Sequence, residues 1–325
     1  MRRRAFGAWA TAVSLAGGTA RGARAAALPR IAWISGATRD PMSPFLEGLQ
    51  TGLQDLGRLD GRDYLIETHW GDDSRERLDP LVADMLRTRP DLIVTQGPIV
   101  YNVQRSKTPI PVLFAFSGDP VEARLVDTFA RPGGNLSGIS MMALELVGKR
   151  MEALAEAVPD AKQMAVITNP GHAGEQGELA ASQVAAAKLG VNVEYLPFRD
   201  ESGFESALSA ALRARCQAIM VFPDAGMMRR SERFAAFAIQ NRMPAASGWA
   251  EFARRGNLLS YGPNLRQVYR RLAFFVDRVL RGAQPSTLPV EMPTVIEHVI
   301  NLRSARAMGI SVPRAALVRA DALIE

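Results

Sequence analysis

The 325-residue chain has a single cysteine, Cys216, so no disulfide can form within it. A lipid-modified N-terminal cysteine is excluded for the same reason. Arg215-Cys216-Gln217-Ala218-Ile219 enters an apolar run, the setting of a buried, inert thiol rather than a nucleophile. Histidine is almost as scarce. His69, His172 and His298 lie far apart, and none has a second His or a Cys three or four positions away. Asp72 and Asp73 after His69, and Glu175 after His172, leave one imidazole with acidic neighbours, short of a metal site. No Gly-x-Ser-x-Gly elbow occurs. Gly171-x-x-Gly174-x-x-Gly177 lacks the tight Gly-x-Gly pair and a Walker lysine, which argues against a nucleotide loop. Neither a cofactor nor an enzyme is expected. No apolar run reaches 18 residues, so no segment reads as a membrane span.

Lysine is rare too. Only Lys107, Lys149, Lys162 and Lys188 stand among 39 basic residues, against 33 acidic ones and a formal net charge of +6. Such an excess suggests a polyanion partner. Its distribution argues otherwise. Arg2, Arg3, Arg4, Arg21 and Arg24 fall within residues 1–25, which hold no Asp or Glu. Without that segment 34 basic residues face 33 acidic ones, net +1. A basic start, an apolar stretch from Gly7 to Ala20 and Ala23-Arg24-Ala25 are the parts of a signal peptide. Arg3-Arg4-Ala5-Phe6 resembles the twin-arginine export pattern, with the general export route left open. The expectation is a periplasmic protein that binds no nucleic acid.

After Pro29, short apolar runs alternate with helical spacing. Ile31–Ile34, Tyr64–Trp70, Leu92–Val94 and Pro111–Phe116 read as strands separated by helices. The order recurs with Met164–Ile167, Val191–Leu196, Ile219–Phe222 and Pro244–Ser247. Ile34 to Ile167, Gly57 to Gly190 and Pro111 to Pro244 are each 133 residues apart. The pattern predicts an α/β protein of two Rossmann-like lobes, each with a parallel sheet, joined by a hinge. Lobe 1 is expected over 29–139 plus 247–284, and lobe 2 over 140–246 plus 285–325. Ligands of open α/β sheets sit beyond the carboxyl ends of the strands. Three loops from each lobe would then face one cleft, Ser35-Gly36-Ala37 opposing Thr168-Asn169-Pro170 among them.

Several segments resemble a bacterial family of ABC-transporter substrate-binding proteins related to the tryptophan-binding group. They are Phe45–Gly57, Ser117–Val121, Arg131–Ser140, Leu259–Gly262 and Val299–Ile310. After the third strand the chain departs from those relatives with Gln96-Gly97-Pro98-Ile99-Val100-Tyr101-Asn102. The resemblance implies a type I periplasmic-binding-protein fold, a small-molecule ligand and an inner-membrane ABC permease as partner. A monomer is expected.

Candidate ligand-binding residues are Ser35, Gln96, Gly97, Asp119, Ser140, Asn169, Asp224, Trp249 and Tyr261. Acidic side chains at Asp119 and Asp224 suit an ammonium, and helix N-termini suit a carboxylate. Together they suit an amino acid or similar zwitterion. Asp119, Asp224 and Asn169 also stand where residues cap helices, and Trp249 and Tyr261 where aromatics pack in cores. Two other classes stay open: an exported sensory module signalling to a membrane receptor, and, less favoured, an α/β hydrolase. A helix-turn-helix headpiece would not fit ahead of the first strand.

Overall fold

A computed structural model describes residues 27–39, 44–170 and 174–325. The expected signal segment 1–25, Gly171 and His172 lie outside the described residues. The first half runs β1 (Arg30–Ser35), α1 (Pro44–Asp55), β2 (Leu65–Trp70), α2 (Leu78–Arg87), β3 (Leu92–Gln96), α3 (Val100–Arg105), β4 (Val112–Phe116) and β5 (Leu136–Ser140). Next come α4 (Val147–Ala157), β6 (Gln163–Thr168), α5 (Glu175–Leu189), β7 (Asn192–Pro197), α6 (Glu201–Arg213), β8 (Ala218–Val221), α7 (Ala225–Arg229), α8 (Ser231–Asn241) and β9 (Ala245–Ser247). The chain closes with α9 (Ala250–Arg254), β10 (Leu259–Pro263), α10 (Leu265–Leu280), β11 (Ile296–Asn301), α11 (Leu302–Met308), α12 (Arg314–Val318) and β12 (Ala322–Ile324).

Two sheets result, ordered β2-β1-β3-β4-β5 and β12-β11-β10-β9-β8-β6-β7. The first four strands of each half take the same relative order, so the 133-residue repeat is a repeat of topology. Alternation along β1 shows how lobe 1 is built. Ile31 and Trp33 pack with Phe45, Leu49 and Tyr269 under α1 and α10. Ala32 and Ile34 pack with Val82, Met85 and Val100 under α2 and α3. Lobe 2 has a main core from Val147 to Ala316 and a small separate cluster of Ala250, Ala253 and Val299.

The strand pairing departs from the sequence reading in two ways. β10 and β11 run antiparallel, in an otherwise parallel sheet. Residues 247–263, expected in lobe 1, stay with lobe 2, because β10 pairs with β9 on one side and β11 on the other. The chain returns to lobe 1 only at Asn264, whose side chain accepts from the Gln267 amide and caps α10. Leu265, Val268, Tyr269, Leu272, Phe275, Val276 and Val279 give α10 one buried stripe against lobe 1.

The three crossings lie side by side. Ser140 donates its amide to the Glu291 carbonyl at 3.0 Å, and Glu291 donates to that of Gly138 at 3.1 Å. Asn264 donates to the Val295 carbonyl at 3.0 Å. These hydrogen bonds hold the connections between the two sheets together at one place.

Cys216 is buried at the entry to β8, and burial pushes its thiol up to about 11. It should not react with a disulfide reagent at pH 8 in the folded protein, whereas one thiol per chain should titrate after denaturation. Rapid labelling of the native protein would contradict this placement. Among the described residues, no helix is long and apolar enough to cross a membrane.

Candidate functional site

The carboxyl ends of the parallel strands in both sheets point into a shared cleft of about 180 Å³. Lobe 1 supplies Ser35 at the end of β1, Asp73 and Arg75 after β2, Gln96 at the end of β3 and Gly97 just past it, and Ser117 after β4. Lobe 2 supplies Asn169 after β6, Phe198 and Arg199 after β7, Asp224 to Met227 after β8, and Trp249 after β9.

On the lobe 1 wall, the Ser35 hydroxyl donates to Gln96 Oε1 at 2.7 Å and accepts from the Ala37 amide. This bond engages the Gln96 oxygen and fixes which end of the amide Ser35 meets, its NH2 group remaining a donor. Gly97 has φ +76°, and nothing lies where its Cβ would stand. A left-handed residue here turns the chain from β3 directly into the turn before α3, so the backbone itself forms the wall.

On the opposite wall, Asp224 is buried and caps α7, accepting from the Met227 amide at 2.8 Å through Oδ1. Its Oδ2 accepts from Asn169 Nδ2 at 3.0 Å. Phe198 and Trp249 are buried and offer apolar surface beside these polar atoms. Arg230 lies over the rings of Phe198 and Phe204, with its Cζ 5.5 and 5.7 Å from their centroids.

The lobes also touch at the edge of the cleft. Arg229 of α7 forms an ion pair with Asp73 of lobe 1, and Thr38 donates to the same carboxylate oxygen at 3.0 Å. Trp249 meets the Phe45 ring edge to face, with centroids 5.9 Å apart. Ala225 and Met228 pack on the lobe 1 core. α7 therefore belongs to one lobe and seats on the other.

The structure brings together Ser35, Gln96, Gly97, Asn169, Asp224 and Trp249. Three candidates do not line the cleft. Asp119 caps its own turn, accepting from the amides of Val121 and Glu122. Ser140 sits at the end of β5, tied through its amide to the crossing at Glu291. Tyr261 lies in β10, with its ring against His298 and its carbonyl accepting from Arg150. The sequence reading missed Asp73, Arg75, Phe198, Arg199 and Arg230. It counted three loops per lobe and passed over the loops after β2 and β7, the second strand of each repeat. Applying the repeat to those loops would have found four of the five.

A second, larger cavity of about 410 Å³ lies behind the crossings, lined by Asp55, Arg270, Arg271 and Glu291 among others. Its charges are matched within the protein: Arg270 pairs with Asp55 at 2.6 Å and Arg271 with Glu291 at 2.7 Å. Among the described residues, no group of three or more His, Cys, Asp or Glu could hold a metal.

The family profile described as ABC transporter substrate binding protein matches residues 31–324. The chain belongs to this family. It is a substrate-binding receptor, not an enzyme. A tyrosine-binding protein of Clostridioides difficile (strain R20291) is 22% identical over 263 residues, 81% of this chain and 75% of that one. A conserved domain protein from Vibrio cholerae O1 biovar El Tor superposes with a TM-score of 0.85 at 24% identity, covering 91% of this chain and all of the other. An ABC domain in complex with L-Trp from Streptococcus pneumonia gives 0.84 at 20% identity, covering 92% of this chain and all of the other. At such identity these two likenesses establish the fold, that of type I periplasmic binding proteins.

Proposed function

We propose that this receptor is exported to the periplasm, captures an amino acid in its inter-lobe cleft, and delivers it to an inner-membrane ABC permease. One observation carries this reading. A buried carboxylate, Asp224, stands in the same small cleft as guanidinium groups and the Gln96 amide, the complements of an ammonium and a carboxylate. The names of two similar proteins, one tyrosine-binding and one seen with L-Trp, support an amino acid as ligand. The basic, apolar and small-residue order of residues 1–25 supports export. A ligand touching both walls favours the closed form by its difference in affinity for closed and open states. The permease would read the paired lobe surfaces of a monomer in that form.

Asp224→Asn preserves the shape of the cap but removes the charge. It should weaken the best amino-acid ligand about 10- to 100-fold in calorimetry, the range for loss of one charge-assisted hydrogen bond. Asp119→Ala, outside the cleft, should leave affinity unchanged. Equal affinity in Asp224→Asn and the parent protein would overturn Asp224 as the ammonium partner.

A further inference from the structure

We infer that the amino acid taken by this cleft has an acidic side chain, so that the bound solute is a net anion. The inference rests on the proposed cleft and narrows its ligand class. It follows from which charges in the cleft already have partners.

Both acidic groups of the lining are engaged. Asp73 is paired with Arg229 and accepts from Thr38. Asp224 accepts from Asn169 and from the Met227 amide. Of these two, Asp224 is the buried one, and Asp73 is exposed at the rim. Among the described residues, Asp224 is therefore the one buried carboxylate of the lining that an ammonium can meet.

The cationic groups are in surplus. Arg75 enters from lobe 1 and Arg199 from lobe 2, and among the described residues the side chain of neither makes a hydrogen bond or ion pair. Arg230 is only partly used. It donates to the Gly226 carbonyl at 3.1 Å and reaches Glu201 at 3.4 Å, while its buried Nε has no partner. A neutral zwitterion brings one carboxylate, enough for one guanidinium. With Arg230 already reaching Glu201, Arg75 and Arg199 on opposite walls would then compete for that one carboxylate. An α-amino dicarboxylate brings a second carboxylate and matches cations on both lobes. Guanidinium groups bind carboxylates through two parallel hydrogen bonds, so this match also fixes orientation. Because Arg75 and Arg199 come from opposite lobes, a ligand spanning them favours closure. The cavity behind the hinge shows the contrast, since its arginines are paired with the protein's own acids.

The test compares isosteric pairs. L-Glutamate against L-glutamine, and L-aspartate against L-asparagine, are titrated into the mature protein by calorimetry, with L-tryptophan and L-tyrosine alongside. The acidic member of at least one pair should bind about 10-fold or more tightly than its amide. In the Arg75→Gln/Arg199→Gln double variant that preference should disappear. Both arginines are exposed, so the variant should fold, which a thermal melt checks. Amides or aromatic amino acids binding as tightly as the acids would overturn the inference and leave the amino-acid reading standing. So would an acidic preference that survives in the double variant. Failure of every amino acid to bind would overturn both.

Discussion

Replacing Arg150 with alanine should remove about 3–5 kcal/mol from the unfolding free energy, the cost of breaking a buried ion pair. Arg150 of α4 is 1% exposed, and its Nη1 lies 3.6 Å from Glu178 Oε1, on a side chain with no exposure at all. Nη1 also donates to the Ala143 carbonyl at 2.9 Å, and Nε donates to that of Tyr261 at 3.0 Å. Burial pulls the guanidinium down to about 10, with Glu178 and Glu145 opposing the shift. It stays protonated at neutral pH. Ala143 follows the first crossing into lobe 2, and Tyr261 precedes the crossing back, so one side chain ties both to α4. The double substitution Arg150→Met/Glu178→Leu should lose less than Arg150→Ala alone, because it leaves no buried carboxylate without its guanidinium. Urea unfolding of the three proteins decides this. A midpoint for Arg150→Ala equal to the parent's would show that the pair contributes nothing.

Gly138→Ala should be at least as damaging, with a loss of about 4 kcal/mol or more. Gly138 has φ +155°, and a Cβ built there would lie 2.0 Å from the Phe114 carbonyl oxygen. No side chain can move to relieve a clash with the backbone of β4. The strand would have to shift, and with it the bond from Glu291 to the Gly138 carbonyl that aligns two crossings. Gly134→Ala, four residues earlier, meets nothing within 4 Å and serves as the control. Soluble yield and melting temperature should fall sharply for the first and hold for the second. A normal melt for Gly138→Ala would contradict the close approach of β5 to β4.

Part of the site was legible because it follows from strand ends. Ser35, Gln96 and Asn169 each lie at or just past the end of a parallel strand, and apolar runs with period-2 or helical spacing locate those ends without a structure. Asp119 and Asp224 show where such reading stops. Both follow a strand, and both accept hydrogen bonds from amides two or three residues on. Their local sequence physics is the same. Only Asp224 faces the cleft, because the helix it caps seats Ala225 and Met228 on the opposite lobe. Arg75 and Arg199 were missed for a related reason. An exposed arginine in a loop is the commonest surface feature, and whether it has a partner among the described residues is decided only in three dimensions.

The placement of β10 is also a tertiary outcome. Leu259-Ser260-Tyr261-Gly262 alternates weakly and mixes polar with apolar residues, yet Leu259, Ser260 and Gly262 are buried. Its partners β9 and β11 lie twelve or more residues away on either side, and their hydrogen bonds assign it to lobe 2.

The sequence by itself determined the two-lobed α/β architecture, the repeat and the thiol's burial, because these depend on local periodicity and on residue types present or missing. The tertiary structure alone decided which polar residues share the cleft and which charges there are already matched. Those depend on distances between residues far apart in the chain, and it is through them that few cysteines, lysines and histidines become an arginine-lined receptor.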